Sequence, residues 1–119
     1  MAFLGEESVW AGAAAECASE QDRFWEYHDA LFRHTAGRDQ GVFTPSHLKQ
    51  YAREMALDTD SFASCVDPGR YQGWIRSQTE LGRELGVTRT PTLVVNGRLT
   101  PVPADFDSLS RLLLAAPPR

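Results

Sequence analysis

The sequence holds two cysteines, Cys17 and Cys65. A thiolate can attack a disulfide or bind a metal, yet sites of either kind usually carry C-x-x-C spacing, which this pair lacks. Neither cysteine has a Lys, Arg or His beside it that would clearly lower its pKa, so a catalytic role is disfavoured. His28, His34 and His47 share no spacing suited to a single metal site. Glu16 with Glu20, and Asp22 with Glu26, lie one helical turn apart and imitate a carboxylate pair, but a solvated acidic face explains them as well. Asp58-Thr59-Asp60 resembles a cation ligand pair, but nothing after it completes a calcium loop, and helix capping is the simpler role. Gly-rich phosphate loops and serine nucleophile elbows are absent. The residues call for no metal and no cofactor.

The stretch left to consider is Gly86-Val87-Thr88-Arg89-Thr90-Pro91-Thr92-Leu93-Val94-Val95-Asn96-Gly97-Arg98. Gly86 stops a helix, a β-branched run follows, and Asn96-Gly97 makes a tight hairpin turn because both positions tolerate positive φ. Proline has no N–H for a β-ladder, so Pro91 belongs at the front of the strand, where the loss is tolerated. Thr90-Pro91 is also a bond where the cis isomer is inexpensive, although an ordinary trans proline satisfies the local sequence.

Composition narrows the class without naming a function. At 119 residues, the chain is long enough for one hydrophobic core. A 42% hydrophobic and 24% charged content describes a globular protein. The net charge of −4 argues against a nucleic-acid partner. No apolar run approaches the roughly 18 residues of a membrane helix, so no membrane partner is expected. Met1-Ala2-Phe3-Leu4 lacks the regions of a signal peptide, and as written the chain reads as cytoplasmic.

The elements that position these residues follow in order. Phe3-Leu4-Gly5 reads as the tail of a strand, and Glu6, Glu7 and Ser8 as the acidic, capping first turn of a helix. Its Trp10, Ala13, Ala14, Cys17, Ala18 and Gln21 recur at helical spacing and form a small-residue face. Asp22 is placed to cap a second helix with Phe24, Tyr27, His28 and Leu31 on one side and Trp25 and Phe32 flanking, a density that suggests a core wall. Residues 35–42 form a loop. Thr44-Pro45 opens a helix with a Leu48, Tyr51, Ala52 and Met55 stripe, and Asp58 caps a short helix bearing Phe62, Cys65 and Val66. After the Asp67-Pro68-Gly69 turn, a long helix presents Tyr71, Trp74, Ile75, Gln78, Leu81 and Leu85. A returning strand from Arg98 to about Val102 is interrupted by Pro101. A last helix turns Phe106, Leu109, Leu112 and Leu113 inward, and residues 115–119 form a frayed tail.

That order, with the phrases Phe3-Leu4-Gly5-Glu6-Glu7-Ser8, Ala14-Ala15-Glu16-Cys17-Ala18, Phe24 through Phe32, and Gly86-Val87 through Thr90-Pro91-Thr92 to Asn96-Gly97, resembles the DsbA-like branch of the thioredoxin superfamily. The resemblance implies an α/β, predominantly helical fold: an incomplete thioredoxin-like domain over residues 1–119, with a helical insertion over 6–86 and a ββα half over 87–119. It implies a thiol–disulfide oxidoreductase and a cis Pro91. Arg89, Thr90 and Pro91 would then hold a substrate peptide in strand fashion.

Departures from the family pattern qualify this. The strand and C-x-x-C helix that open the family fold are not represented, so this chain alone is expected to be a truncated and inactive form. Arg89 stands where a glycine commonly precedes Thr-Pro, and Thr100-Pro101 replaces a glycine-containing approach to the last helix. Two alternatives stand beside the oxidoreductase: a peptide-binding or chaperone-like module using the Pro91 strand, and a relative of kappa-type glutathione-dependent isomerases or transferases. The apolar face around Leu93 and Val95 would recruit a homodimer partner or the missing N-terminal half. Resemblance to an often exported, oxidative family also favours pairing of Cys17 with Cys65 in a structural disulfide. Two free buried thiols are the alternative.

Overall fold

The computed structural model describes residues 1–117. It contains α1 (Glu6–Ser19), α2 (Phe24–Arg33), α3 (Pro45–Glu54), α4 (Thr59–Val66), α5 (Gln72–Glu84), β1 (Leu93–Val95), β2 (Arg98–Thr100) and α6 (Phe106–Ala115). Two compact units divide the chain, Met1–Thr79 and Glu80–Arg119, with α5 running across the boundary. The expected tail at 115–119 begins at the end of α6, and its last two residues lie outside the described ones.

In the first unit α1 packs against α2, α3 and α4. Ala13, Ala14, Ala15, Cys17 and Ala18 are all buried, so the small side chains wrap much of the helix instead of forming one stripe. Large residues from the neighbours fill the space that the alanines leave: Tyr27, Leu48 and Phe62 are fully buried, and the Tyr27 and Phe62 rings lie 5.3 Å apart. The Tyr27 hydroxyl donates to the Leu48 carbonyl at 2.8 Å, which satisfies both groups inside the core. Burial, with a smaller contribution from Tyr51, drives the Tyr27 pKa well above that of an ordinary phenol.

The start of α1 is held from a distance. Gly5 precedes the helix at φ 108, and no local side chain caps it. The Asp39 Oδ1 accepts the Glu7 N–H at 3.1 Å, while Glu7 Oε1 accepts the Gly41 N–H at 2.6 Å. Helix and loop thereby satisfy each other's backbone donors. A Cβ at Gly5 would lie 1.9 Å from the Asp39 carboxylate, so the close approach requires glycine there.

Several local expectations meet the structure directly. Thr44 caps α3 with Pro45 at its first position, and Asp58 caps α4 by accepting the Ser61 N–H at 2.9 Å. Others need correction. Phe3-Leu4-Gly5 is not a strand, because no strand pairs with it among the described residues; the Ala2 N–H donates instead to Thr79 Oγ1 at 2.8 Å. Asp22 does not cap α2. It lies at φ 57, and the amides of residues 21–23 bond back to α1, so the short connection is used to end the first helix. Trp25 and Phe32 are each 70% exposed, so α2 is a core wall only on its Tyr27 and Leu31 side. Trp74 and Leu81 of the α5 stripe are exposed as well.

Cys17 on α1 and Cys65 on α4 form a disulfide with Cα atoms 5.8 Å apart. Nearby, the Gln21 side-chain amide bonds to both backbone groups of Asp58, and Arg70 pairs with Glu20 at 2.7 Å. The Arg70 and Tyr71 hydrogen bonds hold the Glu20 carboxyl below its ordinary pKa. The bridge spans a sequence separation of 48 residues. Loop-closure entropy assigns a bridge of that span about 4 kcal/mol. Reduction, or replacement of both cysteines by serine, should lower the urea midpoint by about 2 M, given a slope of about 2 kcal/mol/M for a chain this small. An unchanged midpoint under reducing conditions would show that the bridge contributes little.

Candidate functional site

The second unit is built around the β1–β2 hairpin, which is antiparallel with Leu93 opposite Thr100, Val94 opposite Leu99 and Val95 opposite Arg98. Asn96 and Gly97 both have positive φ, at 49 and 78, as a two-residue turn requires. The Asn96 side-chain amide also donates to the Pro117 carbonyl at 2.6 Å. β2 ends at Thr100, directly before Pro101, which has no N–H to extend the ladder. Asp105 caps α6 by accepting the Ser108 N–H at 2.7 Å, and that bond lowers its carboxyl pKa.

The apolar side of α6 is not turned inward as its periodicity suggests. Phe106 is 78% exposed and Leu113 is half exposed, while Leu109 and Leu112 are half-buried. A hairpin of three-residue strands offers too little surface to cover a ten-residue helix. The site therefore belongs to a unit whose apolar groups are incompletely covered.

Arg89, Thr90 and Pro91 sit together on an exposed loop that leads into β1. The Thr90–Pro91 peptide bond is cis. The Thr92 hydroxyl donates to the Arg89 carbonyl and closes a tight local turn across the proline. Beside the loop is an open groove of about 510 Å³ lined by Gly86, Thr88, Pro91, Thr92, Leu99 and Pro101, among others. Gly86 lies at φ 89, and a Cβ there would stand 3.3 Å from Leu99 Cδ1. The loop thus approaches the hairpin through a glycine and enters it through a proline. Such a surface can offer backbone groups and a shallow apolar wall to an extended chain, but it supplies no nucleophile.

The other sequence candidates are placed elsewhere. Cys17 and Cys65 are buried in the first unit and bonded to each other, so neither presents a thiolate. The three histidines serve separate local roles. His34 Nδ1 donates to the Ala30 carbonyl at 2.7 Å, His47 pairs with Thr44 at 2.8 Å, and His28 lies against Asp29 at 3.1 Å. Among the described residues, no group of three His, Cys, Asp or Glu side chains could hold a metal. No helix of the described residues is long and apolar enough to cross a membrane. Sequence reasoning placed Glu7 in an acidic capping turn and Phe32 beside a core wall, whereas Glu7 is buried and Phe32 is exposed. Its one available signal was that apolar residues surround α2 more widely than a single buried face can accept.

A mainly helical α/β chain, with a proline-led strand, a hairpin and a final helix, has the architecture of a thioredoxin-like protein. Residues 1–115 match the family described as Thioredoxin, and the chain belongs to that family, within a superfamily of thiol–disulfide oxidoreductases. Among curated relatives, the Na(+)/H(+) antiporter NhaA 3 of Salinispora tropica is 36% identical over 106 residues, covering 89% of this chain and 16% of the antiporter. The NhaA 1 antiporter of Salinispora arenicola is also 36% identical, again over 89% of this chain and 16% of its own length. Disulfide bond formation protein D of Bacillus subtilis is 23% identical over 95% of this chain and 48% of its own length. The chain spans less than half the length of each of these relatives. No solved structure matches it significantly.

The glycine at the head of the loop gives a direct test. Gly86→Ala should destabilise the second unit by about 1 kcal/mol, because alanine resists positive φ and its methyl group crowds Leu99. Amide exchange in β1 and β2 should accelerate severalfold, while the α1–α4 amides keep their rates. Equal acceleration in both units, or none in the hairpin, would contradict this assignment.

Proposed function

We propose that this chain is the substrate-holding part of a DsbA-type thiol–disulfide oxidoreductase. Arg89, Thr90 and Pro91 present backbone to an extended peptide, which adds to the free edge of β1 as a strand. The supporting observation is the exposed loop that runs straight into β1, whose ladder with β2 occupies one edge. The family match and the disulfide bond formation relative make a disulfide-bearing polypeptide the natural substrate class. Disulfide exchange proceeds by thiolate attack through a mixed disulfide. Both cysteines of this chain are joined in the buried bridge, so the reacting pair comes from a C-x-x-C outside residues 1–119. The N-terminal half of the same fold is its natural carrier, whether as a partner or within one continuous polypeptide.

Two measurements test this reading. The isolated chain should not accelerate insulin reduction above a variant lacking Cys17 and Cys65, and should regain turnover when joined to a C-x-x-C half of the fold. An extended peptide should shift the amide resonances of residues 89–95, and the same peptide N-methylated on alternate residues should bind at least about tenfold more weakly. Equal binding of the methylated peptide would reject strand addition. Peptide binding without turnover in the joined form would instead leave a chaperone-like binding module.

The two antiporter relatives favour a second reading, in which this chain is a domain that works attached to a sodium/proton antiporter. Deleting the matching segment from the Salinispora tropica antiporter should then impair sodium/proton exchange in vesicles, and residues 1–119 grafted in its place should restore it. Exchange that is unchanged by the deletion would reject this second reading.

A further inference from the structure

The first unit carries another concave surface, separate from the Pro91 loop. It is an open groove of about 450 Å³ with Ala11, Gly12 and Ala15 of α1 at its floor and Phe24, Phe32 and Ile75 among its walls. Ile75 packs directly onto α1 at Gly12, where a Cβ would stand 3.2 Å from its Cδ1, and so walls one side of the groove. Trp25 and Phe32 remain mostly exposed beside it, with the His28 ring 4.8 Å from Phe32 and 5.3 Å from Trp25. An exposed aromatic group of this kind is characteristic of a contact surface.

The same groove is acidic. Glu7, Glu16 and Asp39 line it and no Lys or Arg does, although Arg38 lies 3.9 Å from Asp39 Oδ2. Glu7 is only 7% exposed, and although its Oε1 accepts the Gly41 N–H, its Oε2 is buried with no hydrogen-bond partner. A buried carboxylate oxygen without a donor is costly, and a cation held in the groove above it would offset part of that cost.

We propose that this groove docks a segment of a partner polypeptide that presents a bulky apolar side chain next to a Lys or Arg. The apolar side chain packs over the α1 floor between Phe24, Phe32 and Ile75, and the cation pairs with Glu16 and offsets the charge of the buried Glu7 beneath it. A second copy of this chain is the poorer occupant, since its net charge of −4 opposes the groove's own carboxylates.

The test uses a fluorescein-labelled peptide containing Phe-Leu-Lys-Arg and two twins, one with Glu for both basic residues and one with Ser for both apolar ones. The first should bind residues 1–119, shift the Phe32 and Ile75 side-chain resonances, and weaken as salt is raised. Glu7→Gln, which keeps an acceptor for Gly41, should weaken binding about tenfold. Phe32→Ser and Glu16→Gln alter solvent-facing groups and should also weaken it while leaving the circular dichroism unchanged. Equal binding by the acidic or the serine twin would overturn the proposal. So would unchanged affinity in folded Phe32→Ser and Glu16→Gln, or no binding by the basic peptide at millimolar concentration.

Discussion

Close approach to α1 is the constraint on which the first unit depends. Alanines and a cysteine cover that helix, so α2, α3 and α4 can all come near it, and large side chains from them complete the core. A single larger residue at Ala14 or Ala18, both fully buried, would push a neighbour away and uncover Tyr27 or Phe62. The disulfide belongs to the same geometry. It joins α1 to α4 where the helices are already close, and the Gln21 and Arg70 contacts hold the ends of the two helices around it.

The second unit is organised on a different basis. Its elements are set by backbone chemistry: a glycine at positive φ, a proline, an Asn-Gly turn and an aspartate cap. Those devices define the path of the chain without burying much of it. Leu93, Val94 and Val95 are only half-buried, and no residue of α6 is fully buried. A surface with its path fixed and its apolar groups open is suited to receiving another polypeptide, which is the role proposed for the Pro91 loop.

The sequence is most legible where a signal acts on its immediate neighbours. Thr44-Pro45, Asp58, Gly86 and Asn96-Gly97 each dictate the conformation of two or three adjacent residues, and each does so here. Legibility fails where two residues compete for one short segment, or where the partner is remote. Asp22 has the chemistry of a cap, but the amides around it are drawn back to α1. The donor that truly opens α1 bonds to Asp39, 32 positions away, and no local pattern announces that. Periodicity likewise places Phe106 on an apolar stripe, and Phe32 beside one, without revealing whether anything lies opposite them. The Pro91 loop was legible as a proline-led entry to a strand, whereas the Glu7 groove was not, because burial of a carboxylate is a property of the assembled helices.

The exchange of backbone donors between α1 and the 35–42 loop has a consequence for how this protein can vary. A loop with three turn-forming residues looks replaceable, yet Asp39 and Gly41 complete the first turn of a helix that supports the whole unit. Insertion or deletion there would displace the carboxylate from the Glu7 amide and leave Gly5 holding a conformation with no counterpart. Drift at positions 5, 7, 39 and 41 is therefore tied together. A protease cut within the loop would loosen the core helix along with the loop itself.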